Sequence, residues 1–150
     1  MTRHRFHHPI EIRYGDLDPQ GHVNNAKFLT YFEQARVHYL IQLGLFSNDQ
    51  SFLDVGIILA EAKVTFLAPV NFGKDIRVGM ATTRLGNKSL EMEYRLEEVE
   101  TGHLLATGTS IQVAFDYRQG QSIPIPQEWR QKIAAFDGLD PTHGDNLETP

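Results

Sequence analysis

With 150 residues, 41% of them hydrophobic, the chain is long enough to bury a core and short enough to be one domain. Its formal net charge of −5 argues against nucleic acid as the main partner. The absence of cysteine excludes a disulfide framework, a thiolate zinc site and a cysteine nucleophile. A cysteine-free composition fits a reducing cytoplasm. Met1 to Arg5 is basic with no apolar signal core behind it, and no apolar run is long enough to span a membrane. A cytoplasmic protein without a membrane span is therefore expected.

Phe6 to Tyr14 reads as a first strand, with Ile10, Ile12 and Tyr14 alternating against Glu11 and Arg13. His4, His7 and His8 match no standard ligand spacing and read as solvated residues of an edge strand, so no metal site is expected. Gly15 to Val23 carries Asp-Pro and two glycines, which is turn chemistry. A helix follows from about Asn24 to Leu43. Phe28, Phe32, Ala35 and Tyr39 form its apolar stripe, Leu29, Leu40 and Leu43 widen it, and Gly44 stops it. After an irregular connection come four strands: Val55 to Leu67, Asp75 to Leu85, Lys88 to Val99 and His103 to Tyr117. The third alternates most cleanly, Leu90, Met92, Tyr94 and Leu96 against Glu91, Glu93, Arg95 and Glu97. Arg118 to Gly120 turns, Ile123 to Pro126 is extended, and Gln127 to Phe136 forms a short end helix. From Asp137 to Pro150 the composition is that of a loose tail, so the domain is drawn at residues 1 to 136.

One long apolar helix and five strands must cover each other. The expected class is α+β, a curved five-stranded antiparallel sheet wrapped around one central helix. A single helix leaves much of the sheet uncovered, so association into an oligomer is also expected.

The chain lacks a G-x-S-x-G elbow, an H-E-x-x-H helix and the glycine-rich phosphate loops. What remains is Asp18, His22 and a helix N-terminus at Asn24 and Asn25. Free N–H groups at a helix start can hold an oxygen that becomes negative during a reaction. Asp18 can deprotonate water or attack an acyl carbonyl itself. Read alone, Asp16 and Asp18 serve equally as turn residues, and Asn24 and Asn25 as caps.

Together, Tyr14-Gly15-Asp16-Leu17-Asp18-Pro19-Gln20-Gly21-His22-Val23-Asn24-Asn25, followed by Phe28, Tyr31, Phe32, Glu33 and Arg36, resembles the hotdog-fold acyl-CoA thioesterases of the 4-hydroxybenzoyl-CoA thioesterase type. The resemblance continues through Val64 to Asp75 and Ile123 to Pro126. It implies a hotdog fold and hydrolysis of an acyl-CoA to free acid and coenzyme A, without a cofactor. It makes Asp18 the catalytic carboxylate and the Asn25 amide the group that polarises the thioester carbonyl. Beside these, His22 is read as a supporting catalytic residue and Asn24, Gly21 and Gln20 as residues about the substrate. It implies a homodimer or homotetramer. The same turn resembles plant acyl-carrier-protein thioesterases, whose Asp, Asn and His positions fall on Asp18, Gln20 and His22, with Gln in place of Asn. Aromatic residues that follow the turn in the hydroxybenzoyl enzymes are here His22, Asn24 and Asn25, so the resemblance does not extend to a hydroxybenzoyl substrate. Glu61 is a further candidate carboxylate. The rival readings are an acyl-carrier-protein thioesterase, a non-catalytic acyl-CoA-binding regulator and a hotdog dehydratase.

Overall fold

The computed structural model describes residues 4–47, 49 and 54–142. Among the described residues, eight strands and α-helices follow one another: β1 (Phe6–Ile10), α1 (Asn25–Gln42), β2 (Val55–Phe66), β3 (Ile76–Leu85), β4 (Ser89–Glu98), β5 (Leu104–Asp116), β6 (Gln121–Ser122) and α2 (Gln127–Asp137). The sheet is antiparallel, in the order β1-β3-β4-β5-β2. The five expected strands are joined by a sixth of two residues, β6, which pairs with Phe115 and Asp116 of β5 beyond the end of β4. This is the hotdog arrangement, with α1 lying on the inner face of the sheet.

Alternation in β4 decides which face is inner. Leu90, Met92, Tyr94 and Leu96 are each at most 1% exposed, and Phe32 stacks on Tyr94 with ring centroids 4.8 Å apart. Gly108 of β5 lies opposite Tyr94, and a Cβ there would collide with the Phe32 ring, so the helix comes this close only over glycine. The opposite face of β3 and β4 carries ion pairs, Arg77 with Glu97 at 2.7 Å and Arg84 with Glu91 at 2.9 Å. The helix stripe is as expected at Phe28, Phe32, Ala35, Tyr39 and Leu40, all buried, but Leu29 is 44% exposed.

Three expectations change. The first strand ends at Ile10 rather than Tyr14, because Tyr14–Asp16 forms a 3-10 turn and the Arg13 N–H is taken by the Asp16 carboxylate at 3.1 Å instead of by a neighbouring strand. His4 is not solvated: its side chain is 4% exposed and its Nε2 lies 3.1 Å from Glu93 Oε1. Burial lowers its pKa from the usual histidine value, against the raising effect of Glu93. His8 is half-buried and stacks on His38 of α1 at 4.0 Å. Among the described residues, no group of three or more His, Asp or Glu is placed to hold a metal ion, and no helix is long and apolar enough to cross a membrane.

Thirdly, packing continues past Phe136. Asp137 closes α2, its Oδ2 accepting hydrogen bonds from the Tyr39 hydroxyl and from the buried Thr82 N–H, and Leu139 packs on the core. The rest of the expected tail, 143–150, lies outside the described residues. A chain ended at Phe136 would leave the Thr82 N–H buried and unpaired, an omission that costs roughly 1–3 kcal/mol. We therefore expect such a truncation to melt several degrees below the full chain by circular dichroism; an unchanged melting temperature would show that residues from Asp137 onward contribute nothing.

Candidate active site

The Asp-rich turn places two carboxylates two residues apart in opposite environments. Asp16 is 1% exposed. Burial by itself would raise its pKa, but hydrogen bonds from the Arg13 N–H, the Tyr31 hydroxyl (2.8 Å) and the Arg13 guanidinium outweigh that and lower it. Its backbone carbonyl also accepts the Asn24 N–H at 2.8 Å. Asp16 thus ties the turn to α1, and every one of its bonds is structural. Asp16→Ala would strand the buried Tyr31 hydroxyl. We expect a loss of roughly 2–3 kcal/mol, read as a fall in melting temperature on the order of 5–10 °C for a domain of this size. A fall of a degree or less would show that water replaces the carboxylate.

Asp18 stands differently. Its Oδ1 accepts the backbone N–H groups of Gln20 (2.9 Å) and His22 (3.1 Å), which fixes the plane of the carboxylate. Its Oδ2 makes no hydrogen bond among the described residues. The turn closes through Gly21 N–H to Asp18 C=O, and Gly21 has φ +81, a conformation that strongly favours glycine. The Asp18 N–H donates to the His22 carbonyl at 2.7 Å, and the Val23 N–H to the Val70 carbonyl at 2.9 Å. Leu17 bridges Val23 and His22 bridges Asn71. The loop is therefore clamped against the turn that follows β2.

The start of α1 completes the geometry. Asn24 is its N-cap, the side-chain oxygen accepting the Ala26 N–H at 2.9 Å, while the Lys27 N–H bonds the Asn24 carbonyl. With the Asn24 N–H held by Asp16, the Asn25 N–H is the one left without a hydrogen bond among residues 24–27. It carries the positive end of the helix dipole.

Asp18, His22 and Asn25 line one open groove of about 310 Å3, walled by Phe28, Phe66 and Pro69. Among the other sequence candidates, Gln20, Gly21 and Asn24 do not line it: Gln20 and Gly21 contribute backbone groups, and the Asn24 carboxamide is committed to the cap. Glu61 is exposed at a bulge of β2 and lines neither this groove nor the cavities beside Arg36. The groove's apolar wall, Phe28 with Phe66 in edge-to-face contact at 4.9 Å, was not anticipated as part of a site, because an aromatic in a helix stripe or a strand reads from the sequence as core; Phe28 is buried, but Phe66 is 47% exposed. A carboxylate oxygen free to take a proton or attack, beside an unpaired N–H at a helix start, suits acyl transfer through a tetrahedral oxyanion.

Comparison with known proteins bears on this geometry directly. Residues 12–133 match the family model described as the Thioesterase-like superfamily. A thioesterase from Thermus thermophilus, crystallised with coenzyme A and Zn, is 32% identical, with a TM-score of 0.78 over 91% of this chain and 97% of that one. The 1,4-dihydroxy-2-naphthoyl-CoA hydrolase of Synechocystis is 25% identical over 133 residues, 88% of this chain and 96% of that protein. The structure of a Synechocystis 1,4-dihydroxy-2-naphthoyl-CoA thioesterase superposes with a TM-score of 0.78, at 25% identity over 88% of this chain and 97% of that one. With the model covering all but the ends of the chain, this protein belongs to the Thioesterase-like superfamily.

Proposed function

We propose that the protein is an acyl-CoA thioesterase that adds water to a thioester and releases a free carboxylic acid and coenzyme A. One observation carries the reading: Asp18, with one carboxylate oxygen unengaged, and Asn25, with its N–H unpaired among the described residues, line a single groove. Asp18 acts as general base toward water, or as nucleophile through an anhydride. The Asn25 N–H holds the oxyanion, a contribution of about 3–4 kcal/mol for one such donor. His22, clamped by its backbone to Asp18, lines the same groove and supports the site; Gln20, Gly21 and Asn24 shape it through backbone and cap. Membership of the superfamily, with relatives named for CoA thioesters, supports the substrate class. The test is thiol release from a panel of acyl-CoAs of differing length, branching and aromaticity, run beside acyl-carrier-protein thioesters. Turnover of none of the CoA thioesters would overturn the proposal.

The active form is proposed to be a homo-oligomer. The sheet's outer face carries ion pairs, but apolar side chains at one edge are left uncovered. They lie on β2, an edge strand of 12 residues with Ile58, Leu59 and Phe66 each more than 40% exposed, and on α1, whose exposed Leu29 and Val37 line cavities shared with Leu59. A long apolar edge of this kind invites pairing with a second copy. Sedimentation at micromolar concentration should show a dimer or larger assembly; a clean monomer that still turns over substrate would overturn this.

A further inference from the structure

The two sides of the Asp18 groove differ in chemistry. One side is the turn and the start of α1, which bring Asp18, His22 and Asn25. The other is the end of β2 and the residues that follow it: Phe66, Leu67, Ala68, Pro69 and Val70. No side chain on this second side can make a hydrogen bond. Its backbone is committed elsewhere. The Leu67 and Ala68 N–H groups both donate to the Leu105 carbonyl, Pro69 has no N–H, and the Val70 carbonyl accepts the Val23 N–H.

Part of this apolar wall stands in solvent. Phe66 is 47% exposed and Leu67 53%. Single exposed apolar residues are ordinary, but two consecutive ones lining a groove that also holds an unengaged carboxylate oxygen mark a surface with an occupant. The Phe66 ring is fixed rather than loose, because it meets the buried ring of Phe28 edge to face, at an interplanar angle of 82°. Phe28 is three residues beyond Asn25, on the same face of α1 and about 4.5 Å along its axis. The wall therefore begins one helical turn from the Asn25 N–H.

A thioester whose carbonyl oxygen rests on that N–H sends two arms from the reacting carbon: the acyl group, and the sulfur with its pantetheine. The pantetheine arm carries two amides, whose carbonyls need donors. From Leu67 to Pro69 the backbone presents no free N–H, and the side chains present none. The arm that suits the wall is the acyl group. A hydroxyl on that group would lie against carbon without a partner, and a carboxylate would in addition face the Asp18 charge. We propose that the acyl group taken at Asp18 is a hydrocarbon without polar substituents, and that the exposed ring of Phe66 selects it. The proposal rests on the acyl-CoA reading above and adds the substrate class.

The test measures kcat/KM for acetyl-, butanoyl- and hexanoyl-CoA and for terminally hydroxylated hexanoyl-CoA, on the wild type, on Phe66→Ala and on Phe66→Leu. In the wild type each added methylene should raise kcat/KM roughly fourfold, the worth of burying one methylene. The hydroxylated chain should fall below hexanoyl by roughly tenfold. Phe66→Ala should lower the hexanoyl-to-acetyl ratio by roughly tenfold, and Phe66→Leu, which keeps an apolar body, should restore most of it. Phe66 is half-exposed, so both variants should keep the wild-type melting temperature. Should Phe66→Ala fail to fold, Leu67→Ala takes its place in the same comparison. The proposal is overturned by a wild-type kcat/KM that does not rise from acetyl to hexanoyl, or by a hydroxylated chain handled as well as its parent. It is overturned equally by a ratio that Phe66→Ala leaves as it was, or by a loss that Phe66→Leu does not restore. Should no thioester be hydrolysed, the acyl-CoA reading fails by itself, and calorimetric titration with acetate, butanoate and hexanoate decides this one. Affinity that rises with length and is lost in Phe66→Ala supports the wall; equal or absent binding overturns it.

Discussion

Asp18→Asn is expected to lower turnover of the preferred acyl-CoA by roughly 10²-fold or more, the scale of losing a general base, with the melting temperature unchanged. The reason lies in how the carboxylate is held. Its Oδ1 accepts two backbone N–H groups, from Gln20 and His22, and an asparagine oxygen accepts them equally well. The turn therefore survives the substitution. What disappears is the charge and basicity at Oδ2, the oxygen that nothing in the described fold engages. The effect should appear in kcat and kcat/KM alike if the interaction matters only in the transition state. A folded Asp18→Asn protein with near-wild-type rates would return Asp18 to the status of a turn residue.

Two aspartates in one turn illustrate where sequence reasoning stops. Their residue type and spacing did not separate a structural acid from a reactive one; the resemblance to thioesterases pointed to Asp18. The geometry gives the physical reason. Asp16 meets Tyr31 fifteen residues downstream, at a helix position where a tyrosine reads as core, and is consumed by that contact. Asp18 meets only backbone within four residues and stays open. The fold itself was legible because it rests on periodic signals. The alternation of β4 marked its buried face residue by residue, and the Asn24-Asn25 pair marked the start of α1, of which Asn24 proves to be the cap.

Aperiodic features were not legible. Phe6 to Tyr14 alternates like a strand, yet a side-chain oxygen captures the Arg13 N–H and the strand stops at Ile10. His4 looks like a solvated terminal residue until Glu93 is brought beside it from 89 positions away. Asp137 sits in a polar composition typical of tails, but Thr82 and Tyr39 wait for it across the fold. Arg36, 8% exposed within the helix stripe, did leave a sign. A cation inside an otherwise apolar helical stripe must be paired when buried, and that contradiction is visible in the residue order alone. Leu29 failed for the opposite reason: its helix position adjoins the uncovered edge of β2, so an apolar residue on the stripe's margin remains exposed.

Asn25→Pro is expected to lower kcat by about 10²–10³-fold, the scale of removing one oxyanion donor, while the protein remains folded. Ordinary substitutions at this position cannot test the donor, because it belongs to the backbone. Asn25→Ala keeps the N–H, and since Asn24 rather than Asn25 is the cap, it should change both rate and stability little. Proline removes the N–H itself. Position 25 is the first residue of α1, the one helical position at which proline is favoured, since its N–H has no partner within the helix. The residue before a proline must be extended, and Asn24 already is, with φ −61 and ψ 139. The fold thus accommodates the change without losing a hydrogen bond, and the loss falls on catalysis alone. Circular dichroism should show the wild-type helix content and melting temperature for both variants. If Asn25→Pro is folded and hydrolyses its best acyl-CoA as fast as Asn25→Ala, the oxyanion is stabilised elsewhere and the start of α1 has only a structural part.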